Sequence, residues 1–435
     1  MSDNRPEKTK LKIGIIPLTD CAVVAIAKDR GFFEKYGLDV AISREPSWAS
    51  IRDKIIIGDL DAAHMLAPMP LAATLGLGIA PFPMMTAFSL GLNGNAITVS
   101  NALFAEIHQT HPSGADAHPA LARPLHAVIA ARKHEGRPPL TFATVFPFSV
   151  HNYTLRYWLA ATGIHPDRDL RVIVVPPVRM VDEMKAGAVD GFCVGEPWSQ
   201  QAVAAGVARV LITGYELWNN APEKVLGVSR AWAEAHPNTH HALICALLEA
   251  ARWLDTPHGR VAAADILARP EYVGVPADVI RTTLSGSYRY SVQNAVHQLP
   301  DFNVFFRYAA NFPWVSHGLW ILGQMYRWGH LTTPCDMNAV ARSVFRTDLF
   351  RKAAAQLGLP APMDDLKTEG THAQNWDLKG LTLGADKFFD GRRFDPARPA
   401  RYLESFGVHS LRLPLTEIDT AQTPVQTRVT TQVHS

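Results

Sequence analysis

One pattern occurs twice in this chain, and it constrains the fold more than any other feature. GDLDAAHMLAP (58–68) and GAVDGFCVGEP (187–197) share a glycine, an aspartate and a proline at the same spacing. Each copy follows an apolar-periodic stretch, 50–57 and 180–186, that reads as an amphipathic helix. Gly58 and Gly187 then sit where a helix end favours a left-handed residue. The apolar residues that follow read as a short strand, which Pro68 and Pro197 stop at the edge where α/β loops gather. Two similar α/β lobes with facing strand ends make a cleft, and clefts at strand carboxyl ends bind ligands. Chance is the competing account, because Gly-x-x-Asp alone is common.

A length of 435 residues allows two or three domains with well-buried cores. With 47% hydrophobic and 19% charged residues the composition is that of a soluble globular protein. A net charge of +2 gives no electrostatic basis for direct nucleic-acid binding. Cys21, Cys193, Cys245 and Cys335 lie far apart with no Cys-x-x-Cys, which argues against a zinc framework or a disulfide scaffold and fits a reducing compartment. Residues 1–12 are polar and no long apolar core follows before Pro17 and Asp20, so no secretory leader is expected and the expected location is the cytoplasm. The uncharged run 65–105 is long enough to span a bilayer. Pro68, Pro70, Pro81, Pro83 and glycines such as Gly76, Gly78, Gly91 and Gly94 cut it into short pieces, so a buried helix followed by a buried strand is expected, with no membrane contact.

Along the chain, strands are predicted over 12–17, 38–42, 61–66 and 83–90, with a helix opening at Thr19 or Asp20 as its cap and another starting after the loop 43–48. Residues 95–100 are expected to cross into a second lobe, and 101–140, rich in Ala, His and Pro, to form a helix with flexible flanks. A strand over 141–147, a helix over 151–162 and a strand over 171–175 follow, and 208–213 reads as the return into lobe one. The resulting division is a disordered N-terminus (1–10), lobe one (11–97), lobe two (98–207), the return with a C-terminal helical extension (208–412), and a disordered Thr/Gln-rich tail (413–435).

Motifs for catalysis are missing: no phosphate-cradling Gly-rich loop with Lys-Ser/Thr, no HExxH, no Gly-x-Ser-x-Gly and no dinucleotide fingerprint. That shifts weight from catalysis to binding, and no cofactor is implied. Histidines 108, 111, 118, 126 and 134 are irregularly spaced around prolines, so solvated histidines rather than metal ligands are expected. Trp314, Trp320 and Trp328 read as packing residues of a latch. A cleft for a small anion needs several N–H donors and one basic residue to replace the water it loses. Helix N-termini supply such donors together with partial positive charge. Three predicted helix starts, at 19–22, 47–49 and 149–152, fall on the cleft side. Trp48, His64 and His151 occupy loop or strand-end positions where a ring could lie against a flat anion, and Lys224 is the basic candidate. A half-buried loop tryptophan, histidines satisfied by backbone groups and an ordinary surface lysine are the competing readings.

IGIIPLTDC (13–21), SREPSWASIRDKI (43–55), DAAHMLAPMP (61–70), RYWLAATGI (156–164), CVGEPW (193–198) and SHGLWILGQMYRWG (316–329) together resemble the nitrate-binding family. That family holds the solute-binding proteins of nitrate and bicarbonate ABC transporters and the NasS-type nitrate/nitrite sensors. The resemblance implies an α/β, two-lobed, periplasmic-binding-protein-like fold of type II, here with a C-terminal helical latch, whose lobes close over the anion. It carries ligand roles onto Trp48 first, then His64, then Ser149, His151 and Asn152 at a helix start, Gly195 and Glu196 at a strand end, and Lys224 as the basic residue. Asp20 lies in the first matched loop.

Exported relatives carry a signal peptide, so the polar N-terminus points to the cytoplasmic sensor branch. In that branch nitrate or nitrite binding releases a NasT-type response-regulator-like RNA-binding antiterminator. The exported solute-binding component of a nitrate ABC transporter is the alternative. A third reading is a thiamine-pyrimidine-synthase-like enzyme, which the stretch 31–38 resembles, although the cysteine-rich iron-binding motif of those enzymes is missing.

Overall fold

The computed structural model describes residues 5–110 and 122–420. Lobe one begins with β1 (Lys10–Ile15), α1 (Ala22–Asp29), α2 (Phe32–Lys35), β2 (Asp39–Arg44), α3 (Trp48–Ile56), β3 (Ala62–Leu66), α4 (Pro68–Thr74) and β4 (Met84–Met85). After the short β5 (Leu92–Asn93) come β6 (Asn95–Ser100), α5 (Asn101–Thr110), α6 (Ala122–His134), β7 (Thr141–Thr144), α7 (Val150–Ala160), β8 (Arg171–Val174), α8 (Met180–Lys185), β9 (Gly191–Gly195), α9 (Trp198–Ala204) and β10 (Ala208–Thr213). The chain then passes through α10 (Gly214–Leu217) to β11 (Lys224–Ser229), α11 (Arg230–Ala235), α12 (Pro237–Leu254) and the C-terminal helices.

The two main sheets have the same plan. Sheet one runs β2-β1-β3-β11-β4 and sheet two β8-β7-β9-β6-β10. In each, three parallel strands meet a fourth that runs against them, β11 beside β3 and β6 beside β9. The chain enters lobe two on one of these, β6, and returns to lobe one on the other, β11. The fold is therefore two-lobed α/β, of the type II periplasmic-binding-protein class. The expected return at 208–213 is corrected: β10 pairs with β6 in sheet two, and the passage back runs through 214–223.

The repeated motif does the same work in both lobes. Gly58 and Gly187 adopt φ of 78° and 71°, a region that side chains with a Cβ rarely enter, and so end the preceding helices. Asp61 Oδ2 accepts a hydrogen bond from Lys12 N at 2.9 Å, and Asp190 Oδ2 accepts one from Thr141 N at 2.7 Å. The backbone answers in the other direction, Asp61 N to Lys12 O and Asp190 N to Thr141 O. Each aspartate thus fixes the register of the third strand against the first. Pro68 opens α4 and Pro197 precedes α9, where a missing N–H is harmless. Replacing Asp190 by Ala leaves the Thr141 N–H without its charged acceptor; urea unfolding should show a loss of about 1.5–3 kcal/mol.

Other boundaries shift for identifiable reasons. The first strand starts at Lys10 and ends at Ile15, two residues earlier at each end than the sequence suggests. Neither Thr19 nor Asp20 caps α1; they lie in a 3-10 turn (Thr19–Cys21) whose cap position, Leu18, makes no side-chain bond. The expected strand 83–90 is interrupted: Met84–Met85 pairs with β11, Thr86 N turns to Val344 O, and the chain meets β11 again only at an isolated bridge between Ser89 and Val225. Residues 5–10 are ordered, because Glu7 accepts from Asn238 N and Thr239 N at the start of α12. The tail begins with a helix (Leu415–Thr420) whose Ile418 is buried; residues 421–435 lie outside the described residues. Among the described residues of the segment 101–140 there are two helices, Asn101–Thr110 and Ala122–His134, rather than one, and His111 and His118 fall outside the described residues. Among the described residues no helix is long and apolar enough to cross a membrane, and the uncharged run is divided between α4, β4, β5 and β6.

The C-terminal extension is a strap that touches both lobes. Tyr157 on α7 donates to Asp390 Oδ1 at 3.0 Å and stacks on Phe388, and Tyr153 OH lies 3.0 Å from His330 Nδ1. Trp218, on the passage back to lobe one, packs against Phe388 and Trp320 with centroids 4.6 and 4.8 Å apart. Trp314, Trp320 and Trp328 are buried in this packing.

Candidate functional site

The carboxyl ends of the strands in both lobes converge on five ionisable side chains, all buried. Lys224, the first residue of β11, places its Nζ 2.6 Å from Asp20 Oδ2 and 2.5 Å from Glu223 Oε1. Asp20 Oδ1 lies 2.8 Å from His64 Nε2, and the second nitrogen of His64 faces Ile16 N at 3.4 Å. His151, from the first turn of α7, brings its Nε2 onto Glu223 Oε1 and within 3.4 Å of Lys224 Nζ. Asn95 Nδ2, at the start of β6, donates to the other Glu223 oxygen at 2.8 Å. Trp48 forms a wall: its ring is edge-on to His64 with centroids 5.3 Å apart, and Lys224 Nζ stands 5.6 Å from its centre.

Local chemistry sets these positions. Ser47 caps α3 by accepting from Ser50 N, which puts Trp48 at the first helical residue. Ser149 does the same for α7 by accepting from Asn152 N, and so delivers His151. Gly195 ends β9 where the lobes meet: a Cβ there would stand 3.3 Å from Asp20 Oδ2 and 3.6 Å from His151 Nε2. Thr19 N donates to Glu196 O at 2.7 Å, and Trp198 Nε1 to Pro17 O at 3.1 Å, so the loops after β1 and β9 are hydrogen-bonded across the cleft.

The pairings fix the charges. Burial alone would raise the pKa of Asp20, but Lys224 and His64 outweigh it and hold the carboxyl well below its ordinary range. Glu223 is lowered in the same way, burial being overcome by His151 and Lys224. Lys224 is raised, because Asp20 and Glu223 outweigh the desolvation of its ammonium. Burial lowers the pKa of His64 against the opposing pull of Asp20. Exchanging Lys224 for Met would leave two buried carboxylates without their ammonium. A loss of about 3–5 kcal/mol in denaturant unfolding is expected.

The cluster thus brings together Asp20, Trp48, His64, His151, Gly195 and Lys224. Three other expected residues have their side chains committed elsewhere. Ser149 is held by its cap and by Phe146 O, and Asn152 bonds Pro147 O and Arg156 Nε. Glu196 turns away, accepting from Tyr288 OH at 2.5 Å and Gln200 N at 3.1 Å; only its carbonyl reaches the lobe contact. His64 sits in the middle of β3 rather than at its end, and reaches the cleft through Asp20. Glu223 and Asn95 are cluster members that sequence reasoning missed. Among the described residues no group of three or more His, Cys, Asp and Glu could hold a metal ion.

Burial raises the Glu196 carboxyl to about 7. A group raised in the folded state favours folding below its unfolded pKa and loses that contribution as pH rises through the folded value. Stability should therefore fall between about pH 4.5 and pH 8, by up to roughly 3 kcal/mol from this group. The Glu196→Gln protein should lack this part of the decline and melt above the parent at about pH 8.

The NMT1-like family pattern matches residues 4–268 of the chain. The chain is 34% identical over 420 residues to the nitrate/nitrite binding protein NrtA of Synechocystis sp. PCC 6803, covering 94% of this chain and 87% of that protein. It is 40% identical over 411 residues to the nitrate import ATP-binding protein NrtC of the same organism, of which it spans 57%. The crystal structure of the periplasmic nitrate-binding protein NrtA from Synechocystis PCC 6803 superposes with a TM-score of 0.82, covering 93% of this chain and 100% of that one. A ligand-binding component of an ABC-type import system from Staphylococcus aureus, 14% identical over 80% of this chain and 99% of that one, shares the fold with a TM-score of 0.61. The fold is that of the two-lobed solute-binding proteins. The chain belongs to the NMT1-like family, in the group that includes the nitrate-binding proteins.

Proposed function

We propose that the chain binds nitrate or nitrite between its lobes, at Lys224, His151, His64 and the wall of Trp48, and serves an ABC-type nitrate importer as its solute-binding component. The observation that carries this reading is the match to NrtA, at 34% identity and a TM-score of 0.82, over the whole of that chain. The cluster supports it physically. It places a buried ammonium, two imidazoles and an indole N–H (Trp48 Nε1, buried and unpartnered) at one point between the lobes. A small, flat anion needs such a set of donors when it leaves water. An anion that touches both lobes favours the arrangement in which they are closed, which is how binding is signalled to a partner.

A regulatory reading uses the same cleft: a cytoplasmic nitrate/nitrite sensor that releases a NasT-type antiterminator when the anion binds. It is supported by the resemblance to the NasS-type sensors, whereas the relatives' names speak of import and of nitrate or nitrite binding.

Titration calorimetry with nitrate, nitrite and bicarbonate tests the ligand. One saturable site for nitrate or nitrite is expected. Replacing Trp48 and His64 together by Ala should weaken it at least about 100-fold, equivalent to roughly 3 kcal/mol. A protein that takes up neither anion removes both readings. Size-exclusion of the chain with a NasT-type protein separates them: a complex that nitrate dissolves establishes the sensor, and no complex in either state leaves the importer.

A further inference from the structure

With both imidazoles neutral, the charges gathered in the cleft do not cancel. Asp20 and Glu223 are two carboxylates, both held ionised by their partners, against the single ammonium of Lys224. Each of the three is at least nine-tenths buried, so bulk water screens them poorly. A monoanion set beside Lys224 would add a further negative charge within a few ångströms of both carboxylates. Uncompensated buried charge is among the costliest states a protein can adopt. Something positive has to enter with the anion.

The neighbours show what can supply it. His151 faces Glu223 and Lys224 from α7, with Asp20 beside it across Gly195. His64 faces Asp20, Trp48 and, through Asp20, Lys224. Other charged groups on the surrounding elements are engaged elsewhere. Arg156, further along α7, is paired with Asp167 and bonded to Asn152. Glu45, ahead of α3, binds Ser43, Ser50 and Lys54, and Arg44 binds the Tyr272 and Val273 carbonyls. Glu196 faces Tyr288 and Gln200. Besides the ammonium and the two carboxylates, the ionisable members of the cluster are its two imidazoles, each with a second nitrogen that can hold a proton. The buried Nδ1 of His151 has no hydrogen-bond partner.

We infer that each anion is taken up together with one proton, shared by the cluster of Asp20, His64, His151, Glu223 and Lys224. The inference rests on the reading of this cleft as the nitrate or nitrite site. The proton belongs to the set of coupled groups rather than to a single residue, because each is within contact of the next. The carboxylates that hold Lys224 in place thereby also make anion capture depend on pH.

The test is titration calorimetry of the full chain with sodium nitrate, in buffers of differing ionisation heat, between about pH 7.5 and pH 9. Close to one proton absorbed per nitrate bound is expected, with Kd rising about tenfold per pH unit. Glu223→Gln keeps the shape of the side chain but removes one negative charge. It should bind nitrate more tightly than the parent at about pH 9 and absorb little or no proton, and Asp20→Asn serves in its place if the first variant does not fold. Nitrate binding with no buffer-dependent heat and a flat pH profile overturns the inference while leaving the ligand assignment standing. So does binding that requires a metal cation in place of the proton. If neither nitrate nor nitrite binds anywhere between about pH 6 and pH 9, the ligand assignment itself is wrong and the inference goes with it.

Discussion

The arrangement of this protein depends on one buried ammonium. Lys224 is fully buried, and its charge is tolerable only because Asp20 and Glu223 stand at 2.6 and 2.5 Å. Those carboxylates need partners in turn, and the partners come from separate parts of the chain: His64 from β3, His151 from α7, Asn95 from β6. Lobe one supplies the ammonium, both carboxylates and one imidazole; lobe two supplies the other imidazole and the amide. The electrostatic demand of a single side chain therefore sets how the two halves face each other.

The scaffold meets this demand through duplication. In each lobe a glycine in a left-handed conformation, an aspartate bonded to the first strand and a proline at a helix start set the third strand in an equivalent register against the first. The strand ends that result carry different chemistry. Beside β3 sits the Asp20–His64 pair, while β9 ends in Gly195, whose lack of a side chain lets Asp20 and His151 approach. Equivalent backbones thus present the charged and the empty side of one pocket.

Much of this was legible in the sequence, and the failures have physical causes. The repeat announced two like lobes because glycine, aspartate and proline each act locally, within a few residues. Trp48 and His151 were legible because both follow a serine cap, and Lys224 because a cleft for an anion calls for a base. Glu223 was not. Adjacent residues on a strand point to opposite faces, so a glutamate next to the lysine reads as facing away. It escapes that rule because β11 begins only at Lys224. Asn95 depends on the lobes meeting, which no local pattern records. Glu196 stood at the right strand end, but its side chain is claimed by Tyr288, 92 residues later. The Ser149 and Asn152 side chains illustrate the reverse: the cap that aims His151 occupies the first, and Pro147 O with Arg156 occupies the second.

The strap at the C-terminus gives the molecule a property that a simple pair of lobes lacks. The helix that carries His151 at its tip is held farther along by Tyr153 and Tyr157 against His330, Phe388 and Asp390. Lobe two is therefore fastened at its crossing strands and at a second mooring on the far side of that helix. A swing that parted His151 from Glu223 would have to slide the Tyr157 ring over Phe388, remote from the Lys224 cluster. The gape of the jaws is in this way geared to an aromatic bearing, and whatever grips that bearing also grips the mouth.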